Sequence, residues 1–248
     1  MDNPRMMCHN IKSLVTLDDL TEPFGHQGEN MSRNLIRELE KIKKKLLALG
    51  ATVEERVHMA MHSIESFDAK LAAQVEQSDW EIDEMEVDVE EECLKVLALY
   101  QPVAIDLRFL VAVIKINNDL ERIGDQAVNI AQRVQTIARQ SRTDFMFDYS
   151  VMGEKAQFML RKSLDALVNM DIDLAFKVLI LDDEVDKIKH EAYDRIKSAM
   201  RQKGQHLGYL INLLLISRHL ERLADHATNI AEEVIYMIEG EIVRHQKP

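Results

Sequence analysis

The chain repeats itself, and that repeat limits its fold more than any other feature of the 248 residues. The segment LERIGDQAVNIA, Leu120 to Ala131, returns as LERLADHATNIA, Leu220 to Ala231, at an offset of 100. Upstream, DWEIDEME (Asp79 to Glu86) is answered by DDEVDKIK (Asp182 to Lys189), and FDAKLA (Phe67 to Ala72) by MDIDLA (Met170 to Ala175), both at an offset of 103. The offset changes between these blocks, where a connecting loop belongs. A segment set that recurs whole and in order is one supersecondary unit used twice. The chain therefore divides into residues 1–30, a first repeat over 31–142 and a second over 143–248. Residues 1–30 share no pattern with either repeat and carry Pro23, Gly25 and Gly28, so a loosely ordered extension is expected there.

Within a repeat the hydrophobic period is helical. Val53, Val57, Ala60, Ile64, Phe67 and Leu71 recur every three or four residues and share one face. Helices are expected near 30–67, 68–100, 102–140, 150–170, 171–203 and 205–243, with Gly50 a possible break in the first. Pro102 suits the first turn of the third, where its missing N–H is not needed. The polar stretch Arg139 to Ser150 separates the copies. Eight glycines, four prolines and 5% aromatic residues fit this reading and argue against a sheet fold with frequent turns. Three amphipathic helices bury their stripes by closing into a bundle, so the expected fold is all-α, two tandem three-helix bundles with six main helices.

Charge narrows the partners. The formal net charge is −12, which repels nucleic acid and anionic lipid. Cys8 and Cys93 are isolated and found no disulfide framework, which points to a reducing compartment. The first twenty residues have no apolar core of a signal peptide, and the greasiest stretch, Tyr209 to Ile216, is too short to span a bilayer. A cytoplasmic location is expected, with membranes reached only through protein partners.

The chemistry lies in carboxylates at i and i+4, which stand one turn apart on one helix face. Asp79 and Asp83 are matched by Asp182 and Asp186, and Glu121 and Asp125 by Glu221 and Asp225. Each repeat thus offers two pairs from two helices that antiparallel packing can bring face to face. Nine acids lie between Asp79 and Glu92, and Leu71 to Leu94 contains no Lys or Arg, so no local base neutralises the stripe. Such carboxylates repel unless a cation lies between them. Hard oxygen donors, with Asn118 and Asn129 beside them, suit Mg, Mn, Ca or Fe better than Cu or structural Zn. A single such pair is ordinarily a solvated face that an arginine such as Arg122 or Arg222 can neutralise. Its retention in both copies, while most other positions drifted, favours a cation site.

Other candidates are weaker. His58 and His62 have helical ligand spacing but project away from the apolar face of Val53, Val57 and Ile64, as exposed histidines do. A di-iron oxidase needs a second ExxH, and the second repeat has Phe158 and Arg161 in place of Glu55 and His58. No Walker motif, nucleophile elbow or GxGxxG is present. The methionines read as core filling.

QPVAIDLRFLVAVIKINNDLERIGDQAVNIAQRV (Gln101 to Val134) resembles the signature segment of the PhoU family, and RHLERLADHATNIAEEVIY (Arg218 to Tyr236) resembles its second copy. The resemblance covers about residues 31–245. It implies two three-helix bundles and a non-enzymatic cytoplasmic regulator of phosphate uptake. The implied partners are the ATPase subunit of a phosphate ABC transporter and a phosphate-responsive sensor histidine kinase, and the implied assembly is a homodimer. It also implies metal ions (Fe, Mn, Mg or Zn) on Asp79, Asp83, Glu121, Asp125, Asp182, Asp186, Glu221 and Asp225. The rival reading is a metal-storing or metal-dependent carboxylate enzyme. Gln126 departs from the family pattern, which commonly has the histidine seen here as His226. Lys189 and Arg218 stand where the first repeat has Glu86 and Asn118, so the first site is expected to hold cations more tightly.

Overall fold

The computed structural model describes residues 25–140, 144–202 and 204–243. Of the expected extension, residues 1–24 lie outside the described residues, as does Cys8, and 25–30 form the first turns of a helix. The helices are α1 (Gly25–Ser66), α2 (Ala69–Gln77), α3 (Asp79–Tyr100), α4 (Ala104–Ala138), α5 (Ser150–Asn169), α6 (Ile172–Gln202) and α7 (Leu207–Glu239), with a single 3-10 turn at Gly204–His206. Taking α2 and α3 together gives the six main helices expected. The helices α1, α2/α3 and α4 form the first bundle, and α5, α6 and α7 the second.

Three details differ from the sequence expectation, each for a local reason. The second helix is interrupted at Ser78, whose Oγ donates to the carbonyls of Gln74 (2.9 Å) and Val75 (3.1 Å). A hydroxyl that bonds back to the preceding turn competes with the helix ladder. The equivalent position in the second repeat is Leu181, and α6 runs through it unbroken. Pro102 lies just outside α4, whose N-cap is the extended Val103. Gly50 does not break α1; it makes room for α5, since a Cβ there would stand 2.9 Å from Leu164 Cδ2.

One continuous core runs through both bundles, because α4 packs along α7 and α1 along α5. The α4/α7 seam is antiparallel and partly polar. Lys115 Nζ meets both carboxylate oxygens of Glu233 at 3.1 Å, Asn229 donates to Asp119 at 3.0 Å, and Arg133 reaches Asn212 at 3.5 Å. Two further pairs, Asp119 with His226 (2.8 Å) and Gln126 with His219 (2.9 Å), are exchanged by the repeat, since 119 corresponds to 219 and 126 to 226. The seam is therefore built like a two-fold interface between copies of one unit.

Candidate functional site

In each repeat the two helices with paired carboxylates lie side by side. The neighbours that shift each group show the facing. Burial raises the Asp79 carboxyl, and the charges of Asp83, of Asp125 across the helix gap and of Glu76 add to it. Burial likewise raises Glu121, followed by Asp125; Arg122 opposes this, while Asp83 and Glu86 reinforce it. The second repeat behaves the same way. Asp182 is raised by burial, then Asp186, against a hydrogen bond from Thr228, with Asp183 and Glu221 adding to the rise. Asp225 keeps part of its surface open to water, yet crowding by protein, then Glu221, Asp182 and Asp186, pushes its pKa up to about 6 against the pull of His226. Asp79, Asp83, Glu121 and Asp125 are thus electrostatic neighbours across α3 and α4, and Asp182, Asp186, Glu221 and Asp225 across α6 and α7, each set an open quartet.

Each quartet is open and held by one base. Arg122 contacts Glu121 at 3.3 Å and Asp125 at 3.2 Å, whereas Lys189 contacts Glu221 at 2.5 Å and Asp186 at 3.8 Å. Among the described residues, no three His, Cys, Asp or Glu side chains are gathered as a ready-made metal-binding group. Glu121 Oε2 is shut off from water and accepts no hydrogen bond. Its charged partner is Arg122, whose Nε lies 3.3 Å away, and the all-oxygen donor chemistry of the quartet is of the kind that fits a hard cation.

The expectation that no base neutralises the α3 acids holds for only one of its faces. On the face toward α1, Arg56 pairs with Glu81, Lys45 with Asp88 (2.6 Å) and Lys41 with Glu92 (2.9 Å). Bases missing from the local sequence come from the neighbouring helix. The opposite face keeps Asp79, Asp83 and Glu86, where Asn117 donates to the Glu86 carbonyl at 2.9 Å. Asn129 donates to the carbonyl of Asp125 at 2.8 Å, so its amide nitrogen serves its own helix. His58 and His62 are exposed, as their position opposite the apolar face requires.

Sequence reasoning missed the seam residues Asp119, His219 and Glu233. Their signal was divergence at matched positions: Asp119 faces His219 in the repeat alignment, and Gln126 faces His226. Burial, then Arg133, Arg222 and Arg218, depress the His219 pKa to about 4.

The fold and its two matched acidic centres define a duplicated helical-bundle protein. The PhoU domain family matches the chain twice, over residues 46–134 and 149–234. A phosphate-specific transport system accessory protein PhoU homolog of Pseudomonas aeruginosa is 36% identical over 233 residues, covering 94% of this chain and 93% of that protein. The homolog from Aquifex aeolicus is 36% identical over 86% of this chain and 96% of its own length. The crystal structure of PhoU from Pseudomonas aeruginosa superposes with a TM-score of 0.80 at 36% identity, covering 83% of this chain and 99% of that one. That of the regulatory protein PhoU from Streptococcus pneumoniae gives 0.78 at 28% identity, covering 84% and 99%. The chain belongs to the PhoU family, whose members are regulators of phosphate homeostasis and not catalysts. No helix among the described residues is long and apolar enough to cross a membrane.

Proposed function

We propose that this protein is a cytoplasmic negative regulator of phosphate uptake and phosphate-starvation signalling. It acts as a homodimer on the ATPase subunit of a phosphate ABC transporter and on a phosphate-responsive sensor histidine kinase. Its two carboxylate quartets hold hard metal ions. The observation that carries the metal reading is the repetition: two facing quartets survive duplication although like charge and burial raise Asp79, Glu121, Asp182 and Asp225 in both. Carboxylates kept under mutual repulsion without a permanent partner for each are a site awaiting positive charge. Asp79, Asp83, Glu121 and Asp125 would hold the ion in the first repeat, and Asp182, Asp186, Glu221 and Asp225 in the second. A bound ion would supply the charge that Arg122 and Lys189 supply in part, fixing α3 against α4 and α6 against α7.

Two measurements test the reading. Deleting the protein is expected to derepress a phosphate-regulated reporter in phosphate-replete medium, and the protein is expected to be retained on the transporter ATPase or the kinase. An unchanged reporter together with no retention by either partner would overturn the adaptor role in favour of the carboxylate enzyme. Elemental analysis is expected to find less metal in Asp83→Asn with Asp125→Asn than in the parent, with the helical circular dichroism unchanged, since removing repelling charges does not unfold a bundle. Equal metal content would refute the first quartet as a site.

A further inference from the structure

Each repeat has a cleft beside its acidic quartet, and the two clefts have opposite character. The first, of about 610 Å³, sets Glu86, Glu90, Asp119 and Glu232 around Lys115. The second, of about 530 Å³ between α6 and α7, has Lys189 in place of Glu86, Tyr193 in place of Glu90, Leu215 in place of Lys115 and Arg218 in place of Asn118. At these matched positions an acidic lining has become basic and apolar, while Glu221, held by Lys189, and Asp225 complete the wall on the side of the quartet.

The ion pairs changed with the lining. In the first repeat Arg122 is occupied by Glu121 and Asp125. In the second, Lys189 takes Glu221 at 2.5 Å, and Arg222, the counterpart of Arg122, is released into the cleft. Among the described residues, neither Arg222 nor Arg218 has a hydrogen bond or ion pair, and both are exposed. Their i,i+4 spacing sets them one helical turn apart on α7, facing Tyr193 on α6. Two free guanidinium forks read carboxylates in pairs, and an aromatic and leucine wall beside them takes an apolar side chain.

We propose that the α6/α7 cleft of the second repeat is a docking groove for an acidic segment of a protein partner. Arg218 and Arg222 take its carboxylates, and Tyr193, Leu214 and Leu215 take an apolar residue next to them. A free inorganic anion would use the guanidinium end alone and leave the apolar wall bare, which is why charge complementarity here points to a peptide. The inference rests on the adaptor reading only in making the occupant a protein.

The test is a selection in vitro, separate from any phosphate phenotype. A phage-displayed random peptide library is selected on the immobilised full chain. Selected peptides are then titrated by fluorescence anisotropy against the parent, R218Q/R222Q and, as the first-cleft control, E90Q/E232Q, each checked for parental circular dichroism. The expected sequences are enriched in Asp and Glu beside Leu, Ile or Phe. They bind R218Q/R222Q at least about tenfold more weakly, bind the control as they bind the parent, and lose affinity as salt rises. Selection without acidic enrichment, or equal affinity for R218Q/R222Q, overturns the proposal. So does binding that survives replacement of the apolar residues by alanine and is abolished by millimolar inorganic phosphate, which would leave an oxyanion site only.

Discussion

Gly124 lies between Glu121 and Asp125 on α4 and is buried against Ile82 of α3. A methyl group there would stand 2.9 Å from Ile82 Cδ1 and 3.3 Å from its Cγ2. The corresponding positions of the second repeat carry the other size pairing, Ala224 and Val185, both fully buried. Gly124→Ala should gain about 1 kcal/mol of helix propensity. Overpacking against Ile82 costs about 1–3 kcal/mol, so the single variant is expected to lose about 1 kcal/mol overall. Ile82→Val, which empties the space of one methyl group, is expected to cost about 1 kcal/mol by itself. In the double variant the new methyl enters that vacated space, the size pairing of the second repeat, and stability should return to within about 0.5 kcal/mol of the parent. Urea unfolding of the four proteins in a chelated buffer gives the coupling energy directly, expected at about 1.5–2 kcal/mol in favour of the pair. Additive losses would refute the reasoning, because they would show that the cost of the added methyl group does not come from its contact with Ile82.

His219 is neutral in the folded protein down to a pKa of about 4, against 6.5 unfolded, so its contribution falls only between those values as the unfolded chain takes up the proton first. From pH 6.5 to pH 5 the parent is expected to lose up to about 2 kcal/mol that His219→Gln does not lose; parallel slopes in urea unfolding would contradict this, and comparing the two proteins cancels the opposite trend of the raised carboxylates. Lys115→Met takes the half-exposed ammonium from Glu233, which is 2% exposed, and is expected to cost about 1–3 kcal/mol, most of it recovered in K115M/E233Q; a loss below about 0.5 kcal/mol would show the pair to contribute as a surface one does. With one quartet disabled in the full chain, D186N/D225N, which keeps the first, is expected to bind divalent metal more tightly than D83N/D125N, which keeps the second, because the first has Glu86 and Asn118 where the second has the cations Lys189 and Arg218. The reverse order in a competition titration would sink the charge argument.

The fold was legible because duplication wrote it twice. Helix number, order and the pairing of Asp79 and Asp83 with Glu121 and Asp125 come from periodicity and offset alone. The break at Ser78 was not legible, since a serine in a helical pattern is ordinary and only its back-bonding to Gln74 and Val75 shows the interruption. Gly50 misled for the opposite reason: glycine reads as a breaker along the chain, but here it answers a neighbour, Leu164, more than one hundred positions away. The neutralisation of Glu81, Asp88 and Glu92 was hidden for the same reason, because Arg56, Lys45 and Lys41 belong to another helix. A one-dimensional count of acids and bases finds a charge run but cannot assign its members to faces.

The seam explains how the two halves could grow apart without losing the fold. Pairs exchanged by the repeat, Asp119 with His226 and His219 with Gln126, show that α4 and α7 meet as matching surfaces of one ancestral unit would meet. In a dimer of identical chains any change at such an interface appears twice, and a favourable substitution on one side is coupled to an unfavourable one on the other. Joining the units in one chain removes that constraint. Position 126 could become glutamine while 226 stayed histidine, and each still has a hydrogen-bond partner. The same freedom extends outward from the seam to the clefts, where Glu86 and Asn118 on one side face their counterparts Lys189 and Arg218 on the other. Lys189 is the pivot of that asymmetry: it holds Glu221 of the second quartet, while Arg222 lines the cleft beside it. One substitution thus changes both the charge of the second quartet and the character of its cleft, and a single chain presents two unlike surfaces on one scaffold.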